Sequence, residues 1–142
     1  MTPNQITLVQ DSFQLVAPIA DTASELFYTR LFELDPSVRP LFPTDIADQR
    51  RKLMQTLSVV IGSLRYLDGI APSIHALGRR HAAYGVKPEH FDTVGSALLW
   101  TLAQGLGPAF TPEVESAWAA VYSLLSDTMQ AGMADAALPR AA

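Results

Sequence analysis

The sequence predicts an all-α fold of about six main helices plus a short one. Three observations carry that expectation. In every long segment apolar residues recur at three- and four-residue intervals, and no strand-like alternation persists through a whole segment. Proline and glycine fall mostly between those segments, where a missing amide hydrogen or a flexible backbone does least harm. Finally, 142 residues, of which 49% are hydrophobic and 17% charged, suffice for one packed core and are too few for two ordinary domains. Residues 1–133 form the expected domain, and residues 134–142 an expected frayed tail that ends in AALPRAA.

Each element has its own signal. Thr2-Pro3 with Gln5 reads as a capping box, opening a helix striped by Ile6, Val9, Phe13 and Val16 that ends near Pro18. A second helix carries Leu26, Phe27, Leu31 and Leu34. Asp35-Pro36 caps a short third element, and Pro40 and Pro43 bracket Leu41 and Phe42 in a corner. From Thr44 or Asp45 a longer helix is expected to reach Tyr66, with Leu53, Leu57, Val60 and Leu64 on one face and Gly69 as the stop. The next helix is expected from Pro72 to Ala83 or Tyr84, with Gly85 suited to a left-handed position after its end. Pro88 opens PEHFDTVGSALLWTLAQGLG, with Phe91, Val94, Leu98 and Leu102 inward and Gly105 and Gly107 at its end. Thr111-Pro112-Glu113 starts the last helix, striped by Val114, Trp118, Val121, Leu125 and Met129.

Composition removes several classes of function. A net charge of -4 with scattered basic residues gives no long-range attraction to nucleic acid or to an anionic membrane. The opening MTPNQITLVQDSF has no basic start followed by an apolar run, and no later segment has the apolar length to cross a bilayer. A cytoplasmic protein without membrane insertion is the expectation. Without cysteine there is no disulfide, thiolate nucleophile, zinc–thiolate site or iron–sulfur cluster.

One histidine stands out, in LGRRHAAYGV. At about 100° per residue, counting from Ile70 puts Ile74, Leu77, His81 and Tyr84 within about 40° of one direction, while Arg79 points opposite and Arg80 to the side. His81 therefore belongs to the apolar stripe and the arginines to solvent. A buried imidazole must satisfy its nitrogens with hydrogen bonds or with a metal. Protein-only zinc is disfavoured, because His75 and His90 lie at spacings that match no standard ligand pattern and read as surface or helix-end residues.

The residues resemble a known family at this point. LGRRHAAYGVKPEHFDTVGSALL is similar to the proximal half of a globin, with His81 at the position of the proximal haem ligand. LFYTRLFELDPSVRPLF, QRRKLMQTL and AWAAVY extend the resemblance from the first helix to about Met129. Its flavour is that of bacterial single-domain and flavohaemoglobin-like globins, with neuroglobin-like features. The resemblance implies a globin fold, three helices over three, around haem b (iron protoporphyrin IX). A porphyrin supplies four nitrogen ligands itself, so one imidazole, His81, suffices to hold the iron.

By the same resemblance Phe42 is the aromatic wedge on the haem, and Leu77, Val86, Phe91 and Val94 line it. Lys52 would reach a propionate and Leu53 would lie over the iron, four residues after Gln49 and on the same face. Tyr28 and Gln49 would face the gas ligand, Gln49 standing where many globins have a histidine. A phenol and an amide in a low-dielectric pocket stabilise polarised oxygen more than carbon monoxide. The sixth position is expected open, with Tyr28 as the one internal competitor for ferric iron. Flavohaemoglobin-like proteins polarise the proximal imidazole with a tyrosine and a glutamate; Phe91 and Met133, which occupy those positions, cannot accept a proton. The imidazole would then rely on a backbone carbonyl, a weaker push that favours reversible binding over O–O cleavage.

The implied function is reversible binding of oxygen and of other diatomic gases, nitric oxide and carbon monoxide. Nitric oxide dioxygenation is a second activity the resemblance admits. It would need a reductase in trans, since the sequence has no GxGxxG fingerprint. A haem-based gas sensor that signals through a partner is the alternative from another class, and a haem-free helical binding module is the blandest one.

Overall fold

Thr2 starts the chain as its neighbours dictate. Its hydroxyl accepts the Gln5 amide at 3.1 Å and the Gln5 side chain accepts the Thr2 amide at 2.9 Å, which closes a capping box worth about 1 kcal/mol. The structure, a computed structural model, describes residues 1–137. Six α-helices are found among them: α1 (Pro3–Val16), α2 (Ala20–Leu34), α3 (Ala47–Gly62), α4 (Leu67–Ala83), α5 (His90–Leu106) and α6 (Pro112–Ala137). Short 3-10 turns at Ala17–Ile19, Pro36–Leu41, Leu64–Tyr66 and Gly107–Ala109 join them. No described helix is long and apolar enough to cross a membrane.

The helices form two layers, α1, α3 and α4 over α2, α5 and α6, with α4 crossing α6 and α2 lying along α5. The predicted stripes fill the space between them. Val9, Phe13 and Val16 of α1 meet Leu102 of α5 and Val114, Trp118 and Val121 of α6, and Ile61 and Leu64 complete this core. Trp118 donates its indole N–H to the buried Ser12 hydroxyl at 2.8 Å, so burying the largest side chain leaves no polar orphan. Gly85 and Gly107 take positive φ, 87° and 54°, each just past a helix end as the sequence predicts.

The crossing of α4 over α6 is unusually close. A Cβ on Gly78 would fall 2.0 Å from the Met129 carbonyl oxygen, and one on Gly132 would fall 2.0 Å from that of His75. Backbone lies on backbone there. The His75 ring adds a 2.7 Å bond to the Asp135 carboxylate one turn further along α6.

Several features differ from those expected. The long third helix stops at Gly62 instead of Tyr66, and α4 begins at Leu67, so Gly69 does not stop the chain and Pro72 does not start a helix. Buried Ile61 and Leu64 pin the reversal between them. Gly69 falls in the first turn of α4, where free amides tolerate a poor helix former, and Pro72 forfeits one hydrogen bond of the second turn. Leu34 and Tyr84, expected on inward stripes, are 41% and 60% exposed, because α2 ends at Leu34 and α4 ends at Ala83 and the chain turns away at each. Helix α6 continues through Ala137, past Met133, where the tail is expected to begin; residues 138–142 lie outside the described residues.

Candidate functional site

Helix α4 takes its packing from α6 and touches α3 and α5 only slightly. The faces of α3 and α4 that diverge from the Leu64–Tyr66 turn are thus not packed on one another. On the α4 side stand Leu77 and His81, both half-buried, with Arg79 and Arg80 in solvent as the helical count predicts. The His81 ring places Nδ1 2.8 Å from the Leu77 carbonyl oxygen. A carbonyl only accepts, so Nδ1 carries the hydrogen and Nε2 keeps its lone pair. Nε2 makes no hydrogen bond among the described residues. Burial holds the pKa of this ring below the ordinary histidine value, the Leu77 bond opposing and the Arg80 charge adding to the shift, so the neutral form prevails at pH 7.

The turn after α4 continues this wall. Val86, half-buried, donates its amide to the His81 carbonyl at 3.2 Å, and a Cβ on Gly85 would lie 3.6 Å from the Leu41 side chain. Phe91, in the first turn of α5, is buried, and its carbonyl accepts the Tyr122 hydroxyl at 2.5 Å. Met133 is buried in α6 and likewise offers no acceptor of a proton.

One apolar cluster gathers Phe27, Tyr28 and Leu31 of α2 with Phe42, Leu53, Val94 and Leu98. It brings together four residues singled out from the sequence: Tyr28, Phe42, Leu53 and Val94. The Tyr28 ring, 2% exposed, meets Phe42 edge-on at 5.5 Å and Phe27 at 5.0 Å. Burial pushes the Tyr28 phenol above its ordinary pKa, and the Gln49 side chain pulls the other way. Lys52 is exposed and has no ion pair among the described residues.

Other residues position this wall without any signature in the sequence. Arg50 reaches from α3 to α2, donating to the Asp21 carboxylate at 2.7 Å, the Asp21 carbonyl at 2.9 Å and the Ser24 hydroxyl at 3.2 Å. It anchors the first turn of α3, where Gln49 sits. Arg39 does the equivalent for the corner that bears Phe42. Polar side chains that bond to backbone carbonyls leave no periodic trace, which is why the sequence does not announce them.

Comparison with known proteins settles the family. Residues 25–129 match the globin family model. The chain is 30% identical over 141 aligned positions to a neuroglobin of Danio rerio, covering 89% of each chain. It belongs to the globin family. It is also similar to flavohemoproteins of Rhodopirellula baltica and Xylella fastidiosa, 29% and 30% identical, and spans about a third of their length.

Membership of the globins carries haem-based binding of diatomic gases. The residues of this globin fit that group on their own evidence. A neutral imidazole with one nitrogen tied to a carbonyl leaves the other free to bind a metal, and the ring is itself half-buried on the apolar face of α4. Among the described residues no group of three or more histidine, cysteine, aspartate or glutamate side chains converges on a metal position.

Proposed function

We propose that this globin reversibly binds oxygen and other diatomic gases on a haem b held by His81, at an open position facing Tyr28 and Gln49. The observation that carries the reading is the His81 ring, whose Nδ1–H is spent on the Leu77 carbonyl at 2.8 Å while Nε2 keeps its lone pair. The haem, when bound, would supply an iron able to bind the gas, with His81 as the protein ligand that would hold it. Leu77, Val86, Phe91 and Val94 would line the haem, Phe42 would pack against it as a wedge, Leu53 would cover the side that takes the gas and Lys52 would pair with a propionate. Tyr28 and Gln49 offer an O–H and an N–H₂ in a water-poor setting, which selects for a polarised ligand. A carbonyl as the sole acceptor for Nδ1, with no proton acceptor to be had from Phe91 or Met133, makes the imidazole a modest electron donor.

Stopped-flow measurement of oxygen dissociation tests the reading. Tyr28→Phe and Gln49→Leu each remove one donor and should accelerate release, the tyrosine by about tenfold, the scale of one hydrogen bond to a charged or strongly polarised acceptor. Unchanged rates in both variants would contradict the distal assignment.

A second activity is favoured by the likeness to flavohemoproteins. Nitric oxide dioxygenation combines nitric oxide, oxygen and one electron to give nitrate, so sustained turnover needs a reductase, here acting in trans. Steady consumption of nitric oxide in the presence of a flavin reductase and a nicotinamide would support it. A single stoichiometric burst under the same conditions counts against it.

A further inference from the structure

The corner between α2 and α3 has little backbone bonding to hold it. Pro40 and Pro43 lack amide hydrogens, and Phe42 to Ile46 belong to no helix. Three successive carbonyls of this corner converge on one side chain. Arg39 donates from Nη1 to the Phe42 carbonyl at 3.3 Å and to the Pro43 carbonyl at 2.9 Å, and from Nη2 to the Thr44 carbonyl at 2.9 Å. No carboxylate pairs with Arg39 among the described residues, so its charge faces carbonyl dipoles alone.

The same guanidinium lies over an aromatic ring. Its central carbon is 5.0 Å from the centre of Phe32. Phe32 meets Phe42 edge-on at 5.6 Å, and both rings touch Tyr28, at 6.0 and 5.5 Å. Arg39 thus joins the backbone of the corner to the ring triad that ends at the Tyr28 phenol.

We propose that Arg39 is a positioning residue for the gas site, fixing Phe42 and, through the Phe32–Phe42–Tyr28 triad, the direction of the Tyr28 hydroxyl. The proposal rests on the haem-binding reading above. A planar fork suits three carbonyls and a ring face at once; a lysine ammonium, a compact point charge, cannot stack and bond in the same way. Loss of the fork frees the corner, Phe42 drifts, and Tyr28 loses the edge contact that aims its O–H. The fold survives, because the core under α1, α5 and α6 contains none of these residues.

The test uses the full-length chain loaded with haem, as wild type, Arg39→Lys, Arg39→Met, Tyr28→Phe and the Arg39→Met/Tyr28→Phe double variant. Oxygen dissociation and the C–O stretching frequency of the carbonmonoxy form are measured on each. Arg39→Met should speed oxygen release about threefold to tenfold and shift the stretch toward that of Tyr28→Phe, with Arg39→Lys in between. In the Tyr28→Phe background Arg39→Met should add almost nothing, which a merely structural role would not produce. A haem-loaded Arg39→Met chain with wild-type release and stretch, or an equal effect in both backgrounds, overturns the role of Arg39. If Arg39→Met does not fold, Arg39→Lys across the same two backgrounds gives the same decision. A wild-type chain that takes up no haem overturns the underlying reading instead.

Discussion

At His81 the bond already made decides the bond that remains. Because the Leu77 carbonyl takes the Nδ1 hydrogen, the ring is fixed in one tautomer and one rotation before any metal arrives. The helical count alone placed this ring on the apolar face and its two arginines in solvent, so the orientation of His81 was legible in the sequence. Tyr84 was misplaced by the same count, because the chain turns away from the helix after Ala83 and leaves the ring exposed. Arg39 and Arg50 were illegible, because their partners are carbonyls and residues brought close only by folding. A pH effect belongs to this scale. Burial raises the folded-state pKa of Tyr28 above the unfolded value of about 10, so its neutral phenol contributes stability that is complete below pH 10 and lost as pH rises through the folded value. Denaturant unfolding of the haem-free chain should therefore show the wild type losing its advantage over Tyr28→Phe above about pH 10. A stability difference that stays constant through that window contradicts the burial argument.

At the scale of elements, caps and prolines were good guides to where helices begin, and poor guides to where α3 gives way to α4. Gly62 and Gly69 look equivalent in sequence; the burial of Ile61 and Leu64 chooses between them, and that is tertiary. Gly78 and Gly132 carry no signal in the helical pattern, yet they set how closely α4 approaches α6 and so where His81 stands. Two opposing terms can be weighed there. Gly78→Ala gains about 1 kcal/mol of helix propensity, but its methyl would sit 2.0 Å from the Met129 carbonyl, and forcing packed backbones apart costs about 1–3 kcal/mol or more. A net loss of about 1–2 kcal/mol in urea unfolding is expected, and similarly for Gly132→Ala. Gly69→Ala is the control, since nothing lies within 4 Å of the added carbon, and it should be neutral or stabilising. Gly78→Ala as stable as Gly69→Ala would show that the close crossing is not a constraint.

For the molecule as a whole, the all-helical class and the order of helices could be read from three- and four-residue periodicity, because each stripe has a partner stripe to bury against. The candidate site is present in the sequence as a list of residues and not as a shape. In the proposed site α4 leans on α6 and leaves its His81 side with little contact to α3, a property of tertiary packing that no local pattern encodes. Haem is the group proposed to fill that divergence between helices, and its uptake tests the account most directly. Titrating the haem-free chain with ferric haem should give a one-to-one complex with a strong Soret band, retained in His75→Ala and His90→Ala and lost from His81→Ala as stable binding. No Soret band in the wild type, or one equally tight in His81→Ala, would contradict the account.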